Sequence, residues 1–405
     1  MFNLNRLYSD RAGKMRKSEI RELLKVTQDP EIISFAGGLP NPDSFPVKEL
    51  QTIVKDVLNK QGSVALQYGT TNGLNELREA IAERSCKEGI DTTDENIIIM
   101  SGSQQALDTV GKIFLNPGDI ALVGLPTYLG GINAFRSYEA NLIGVPIDQD
   151  GMMVDVFEET VKDLIKEDIV PKFVYTVPTF QNPDGTVMPE SRRKKLLDVA
   201  NEYDLVIIED DPYSKLRYDI PPVKPIKAFD DVGRVIYIST FSKILAPGFR
   251  LAWTIASDDI TRKMAVCKQA LDLCTNPFTQ YIANEFIRNG FLDLHIMRIC
   301  EMYKPKRDMM MKSMRKYFPK GYSCNEPKGG MFAWVTLNGD INTETMFLDA
   351  IKEKVAYVHG KAFHVDDGGG SSMRLNFSYS TNEQIEEGIK RLGNVIAKKL
   401  EAKTV

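Results

Sequence analysis

Along the chain, short runs of apolar, β-branched residues alternate with longer stretches whose apolar positions recur every three or four residues. The runs NIIIM (96–100), DIALVG (119–124), KFVYTVP (172–178), DLVIIED (204–210) and RVIYIST (234–240) lack the polar alternation of a half-exposed strand, so they predict strands covered on both faces. Between them, QQALDTVGKIFL (104–115) sets Ala106, Leu107, Val110, Ile113 and Phe114 on one helical stripe, and PESRRKKLLDVANEY (189–203) opens on proline, a favoured first helical residue. Strand alternating with helix predicts an α/β fold with a mainly parallel sheet flanked by helices. From about residue 290 the pattern changes. A long basic helical stretch around RICEMYKPKRDMMMKSMRKYF precedes short strands in GGMFAWVTL, VAYVH and SMRLNFSY, which reads as a smaller α+β domain.

Composition narrows the function. The 405 residues suffice for two or three domains, and 51 basic against 55 acidic side chains leave a net charge of −4, which predicts no nucleic-acid partner. Five cysteines without a C-x-x-C pair read as buried free thiols in a reducing compartment rather than disulfides or a zinc site. The first residues lack the apolar core of a signal peptide and no run of eighteen apolar residues occurs, so a cytoplasmic protein without a membrane span is expected. With only His295, His359 and His364, and no G-x-S-x-G, neither a hydrolase triad nor a histidine metal site is indicated.

In open α/β sheets, ligands sit outside the carboxyl ends of the strands. The first run is followed by SGSQQ, leading into a helix whose free N–H groups suit a phosphate; the third by QNPDG, the fourth by EDDPY, and the fifth by TFSK and then Arg250. Each has a plainer reading alone: an N-cap turn, a β-turn, a capping aspartate, a snorkelling lysine. Their occurrence at successive strand ends is what those readings leave unexplained. A phosphate cradle, a planar amide, a buried carboxylate and a lysine among Ser242, Ile244 and Leu245 together meet the needs of pyridoxal 5′-phosphate. An imine-forming lysine must shed its proton near neutrality, which burial near Arg250 favours, and a buried aspartate such as Asp210 keeps a ring nitrogen protonated.

The chain resembles the fold-type I pyridoxal-phosphate aminotransferases of class I/II, in the branch holding the 2-aminoadipate and second kynurenine aminotransferases and the archaeal aromatic or multi-substrate enzymes. The resemblance runs through ISFAGGLPNPDSFP, LQYGTTNG, SGSQQALD, PTYLG, VPTFQNPDG, EDDPY, TFSKILAPGFR, PKGGMFAW and MRLNF. It implies a large cofactor domain at 46–290 and a small domain from 1–45 with 291–405. It makes Lys243 the residue that carries the cofactor and shuttles the proton, and Asp210 the partner of the ring nitrogen. Tyr213 and Asn182 would meet the ring hydroxyl oxygen, and Tyr128 would stack on the ring. Ser103, Gln104, Thr240, Ser242 and Arg250 would hold the phosphate. Tyr68 would reach that phosphate from the neighbouring subunit, implying a homodimer with shared sites and leaving tetramers open. Arg374 would clamp the substrate carboxylate with Gly38 and Asn182.

Departures from the family pattern are NPDG for the commoner NPTG, Thr240 where serine is frequent, and His359 where relatives often have proline; His359 reads as a loop histidine. The implied reaction is ping-pong transamination between an aromatic, 2-aminoadipate or broad-range donor and 2-oxoglutarate. The alternatives are another fate of the same carbanion, such as β-elimination, or a regulator on the same fold, for which the thirty or so residues before ISFAGGLP leave no room for a DNA-binding module. In KSEIRELLKV (17–26), Ile20, Leu23 and Leu24 make an apolar stripe that leaves Arg21 facing water. The resemblance instead puts this helix over the site, with Arg21 meeting a distal carboxylate.

Overall fold

The computed structural model describes residues 4–15, 29–338 and 341–401. Its strands are β1 (Ile33–Ser34), β2 (Ile97–Met100), β3 (Ile120–Leu125), β4 (Asn141–Asp148), β5 (Gly151–Met152), β6 (Phe173–Thr176), β7 (Val206–Asp210), β8 (Val235–Thr240) and β9 (Ala252–Ile255), then β10 (Tyr322–Cys324), β11 (Phe332–Leu337), β12 (Val355–Ala356), β13 (Val358–His359) and β14 (Ser372–Asn376). The five apolar runs become β2, β3, β6, β7 and β8, and every residue of β2, β6 and β8 is buried, as two covered faces require.

Eight strands form one sheet in the order β2-β9-β8-β7-β6-β3-β4-β5. Pairing is parallel from β8 through β4, whereas β9 runs antiparallel to both its neighbours, β2 and β8. The five anticipated strands therefore point the same way, and their carboxyl ends share one edge. β4 and β9 were not anticipated. β4 carries Gly144 and Pro146 and is only partly buried, and β9 is four residues long, so neither has a strong pattern of its own. The inverted β9 has a local consequence. The chain leaving β8 returns beside it, and Phe241 N donates to Leu251 O at 3.0 Å, closing the 241–251 loop at the sheet edge.

Helices Ser103–Phe114, Leu129–Arg136, Val154–Lys166 and Glu190–Glu202 flank this sheet. A second core gathers Phe35 and Ala36 with Met310, Met314, Val358, Met373 and Ile389 around the antiparallel sheet β10-β11-β14-β13. β1 completes it by pairing in parallel with β12. Helix Phe291–Tyr317 serves both interiors: Leu292, Ile299 and Tyr303 pack with the large sheet, Met310, Met311 and Met314 with the small one. Among the described residues no helix is long and apolar enough to cross a membrane, and no cluster of three His, Cys, Asp or Glu could hold a metal ion.

Candidate active site

The shared strand edge, the 241–251 loop and β14 enclose a cavity of about 240 Å³. It is lined by Gly38, Ser103, Gln104, Tyr128, Asn182, Asp210, Tyr213, Thr240, Ser242, Lys243, Arg250 and Arg374, residues singled out from the sequence, and by Val177, Pro212 and Pro247, which were not.

Lys243 sits on the loop between β8 and β9, and its Nζ donates to Gly38 O at 2.7 Å. Burial, with Arg374 and Arg250 nearby, brings its pKa from the ordinary 10.5 to about 8. Asp210 ends β7. Its Oδ2 accepts from Tyr175 OH at 2.8 Å, while Oδ1 is buried without a partner. Burial raises this carboxyl to about 7, the Tyr175 bond working against the rise and Asp211 with it. Adjacent Asp211 is satisfied: its oxygens accept from Tyr237 OH at 2.8 Å and Ser214 N at 3.0 Å. The two neighbouring carboxylates are thus distinguished by unmet hydrogen-bonding capacity.

Arg374, on β14, is fully buried, and its guanidinium lies 4.2 Å from the ring centroid of Phe332 and 4.9 Å from that of Phe363. Nη1 donates to Asn182 Oδ1 at 2.8 Å and Nη2 to Ala36 O at 2.9 Å, while Nε has no partner. Burial lowers its pKa to about 10, which leaves it charged at neutral pH. Asn182 Nδ2 reaches Tyr213 OH at 3.4 Å, so one amide connects the arginine and the tyrosine.

At the opposite wall, helix Ser103–Phe114 starts after Gly102, whose φ of 89° belongs to the left-handed half of the map that glycine tolerates. A side chain at 102 would collide with the guanidinium of Arg250, itself left-handed at φ 52°. Thr240 Oγ1 donates to Leu251 O at 3.0 Å and lies 2.9 Å from Ser242 Oγ. Gln104 Nε2 donates to Gly130 O at 2.9 Å, and the Tyr128 ring covers Gly130 so closely that a Cβ there would overlap it. Helix N–H groups, two hydroxyls and Arg250 thus face one end of a cavity that also holds Lys243 and Arg374. Three cations against the single carboxylate of Asp210 suit a ligand with more than one negative charge.

Tyr68 does not line this cavity; its side chain is 79 % exposed. His359, buried at the end of β13, does not line it either. Arg21 lies outside the described residues. Sequence reading missed Tyr175, Phe332 and Phe363, whose contacts with Asp210 and Arg374 form only in the folded chain. Gly102 carried a usable signal, as a glycine between a strand and a helix.

The family model for aminotransferase class I and II matches residues 32–392. The chain is 50 % identical over 395 residues to aromatic-amino-acid aminotransferase 1 of Thermococcus litoralis, covering 97 % of this chain and 94 % of the relative. Among solved structures, the multiple substrate aminotransferase from Thermococcus profundus superposes with a TM-score of 0.95 at 48 % identity, covering 99 % of this chain and all of the other. The α-aminoadipate aminotransferase of Thermus thermophilus, complexed with N-(5′-phosphopyridoxyl)-L-leucine, gives a TM-score of 0.91 at 35 % identity over 99 % of this chain and 100 % of the other.

Proposed function

The chain belongs to the aminotransferase class I and II family, and from that premise we propose that this cavity binds pyridoxal 5′-phosphate and transfers the amino group of an aromatic, 2-aminoadipate or broader set of donors to 2-oxoglutarate. The observation that carries the assignment of the cavity is the buried, unpartnered Oδ1 of Asp210 on its wall, which a protonated ring nitrogen would satisfy. The residues present fit the rest of the group: Ser103, Gln104, Thr240, Ser242 and Arg250 for the phosphate, Tyr213 and Asn182 for the ring oxygen, Tyr128 for the ring face.

When bound, the cofactor supplies a carbonyl carbon for amino exchange and a conjugated ring that accepts the electron pair released at the substrate α-carbon. Everything else falls to the chain. Lys243 Nζ would hold the cofactor and would carry the α-proton, for which a pKa of about 8 leaves a useful neutral fraction. Asp210 would keep the ring nitrogen protonated. Arg374 binds the substrate carboxylate, held in orientation by Asn182, Ala36 and the flanking rings of Phe332 and Phe363. In the two-domain reading, 46–290 supplies the proton carrier and 1–45 with 291–405 the clamp, so closure over substrate would bring the two together and exclude water.

Homodimerisation belongs to the same proposal. Tyr68 would complete the phosphate site of a second copy, and the exposure of Val64 (58 %), Leu66 (70 %) and Tyr68 (79 %) along one stretch supports such a contact. The test is a panel of amino donors with 2-oxoglutarate, reading glutamate. Glutamate and the matching 2-oxo acid are the expected products. Ammonia release without glutamate would favour elimination, and no binding of pyridoxal 5′-phosphate would overturn the assignment.

A further inference from the structure

Behind the Ser103 wall of the cavity lies a buried ammonium that the reaction does not use. Lys268, in the last turn of helix Asp258–Gln269, has a fully buried side chain. Its Nζ contacts Asp272 Oδ1 at 2.7 Å and Oδ2 at 2.9 Å, Thr275 Oγ1 at 2.9 Å and Gln105 Oε1 at 3.2 Å. Each of these acceptors ends on residues 99–101, where β2 turns into helix Ser103–Phe114. Gln105 Oε1 also accepts from Ser101 N at 2.7 Å, Asp272 Oδ2 accepts from Ser101 Oγ at 2.7 Å, and Thr275 Oγ1 donates to Ile99 O at 3.1 Å.

The same group of residues reaches a second segment. Gln280 Nε2 donates to Thr275 O at 2.8 Å, Gln280 Oε1 accepts from Leu74 N at 2.7 Å, and Ile99 N donates to Asn72 O at 2.9 Å. Leu74 and Asn72 close the loop that carries Tyr68. Stripping an ammonium of water is costly, so such a pair is a poor source of stability. Its effect is geometric: one cation with three donors fixes the side chains that shape the turn.

We propose that Lys268 is a positioning residue for the phosphate end of the cavity, holding with Asp272 the Ser101–Gln104 turn in the form that presents helix N–H groups and Ser103 to a phosphoester, and linking that turn to the Tyr68 loop. The inference rests on the cofactor reading above and is tested on cofactor-free protein, with pyridoxal 5′-phosphate and unphosphorylated pyridoxal titrated separately by absorbance. Lys268→Met should weaken pyridoxal 5′-phosphate about tenfold to a hundredfold, the scale of lost charge-assisted hydrogen bonds, and leave pyridoxal within about threefold of the parent. Inorganic phosphate should raise the Tm of the cofactor-free parent, and that rise should vanish in the variant. Asp272→Asn should act in the same direction. Lys227→Met, which removes another buried ammonium, paired with Asp230 at 2.8 Å and outside the cavity lining, should change neither affinity. Equal weakening of both ligands, or of neither, would overturn the proposal. If Lys268→Met does not fold, Asp272→Asn decides by the same two outcomes. Failure of the parent itself to bind pyridoxal 5′-phosphate would strike the functional reading instead.

Discussion

Replacing Asp210 by asparagine removes a charge while keeping the shape of the side chain, and the structure sets the scale of the loss. Burial moves this carboxyl from 3.8 to about 7. That rise means that holding the charge without a cation opposite costs about 4 kcal/mol. A ring nitrogen proton recovers that cost only if it stays on the ring, and asparagine cannot hold it there. Asp210→Asn should therefore lower kcat by about a thousandfold, read in single-turnover kinetics with an aromatic donor. Asp211→Asn should mainly lower Tm, because its oxygens serve Tyr237 and Ser214 rather than the cavity. A second readout needs no turnover. A carboxyl with a raised folded-state pKa gives the cofactor-free protein stability that is complete below 3.8 and lost as pH rises through about 7. Asp210→Asn should lessen that fall, leaving the contributions of buried Glu209, raised to about 7, and Asp184, raised to about 6. A loss of kcat in Asp211→Asn equal to that in Asp210→Asn would refute the reasoning.

The lowered pKa of Lys243 predicts that the amount of pyridoxal 5′-phosphate trapped by borohydride on initially cofactor-free protein rises with pH, with its midpoint near 8. At pH 7 about 10 % of Lys243 is neutral, against about 0.03 % for an ordinary lysine, and a midpoint near 10.5 would contradict this. Mixing Lys243→Ala chains with Tyr68→Ala chains should restore one intact site per mixed dimer if Tyr68 crosses between subunits; no gain in activity after verified exchange would rule the crossing out. Arg21→Ala should raise KM for glutamate, 2-oxoglutarate and 2-aminoadipate by the equivalent of about 1.5–3 kcal/mol and leave phenylalanine nearly untouched, whereas equal small effects on all donors would remove Arg21 from substrate recognition.

Residues at strand ends were legible because two rules act locally: apolar runs mark covered strands, and ligands collect past their carboxyl ends. Lys243, Asp210 and Asn182 follow from those rules without tertiary information. Arg374 was legible only by resemblance, since nothing in MRLNF reveals that Phe332 and Phe363 will flank it or that Asn182 will meet it. The antiparallel β9 was hidden because its four residues match a parallel strand equally well, and direction is set by the closed loop before it. Strand-end position alone does not separate Asp210 from Asp211; the resemblance chose Asp210, and the bonds of Asp211 to Tyr237 and Ser214 are a tertiary reason that periodicity does not reveal.

Arg374 joins two distant parts of the chain: its Nη2 bonds the carbonyl of Ala36, 338 positions away. Phe35 and Ala36 leave the ribosome early but find their places against β12 and β14 only after nearly everything between has been made. During synthesis at about 5–20 residues per second, the large sheet has time to organise while this early segment waits without its partners. On the proposed reading, a chain stalled before residue 374 would contain Lys243 and the Ser103 turn but lack the arginine that orients an amino acid, so catalytic competence would come late to the growing polypeptide.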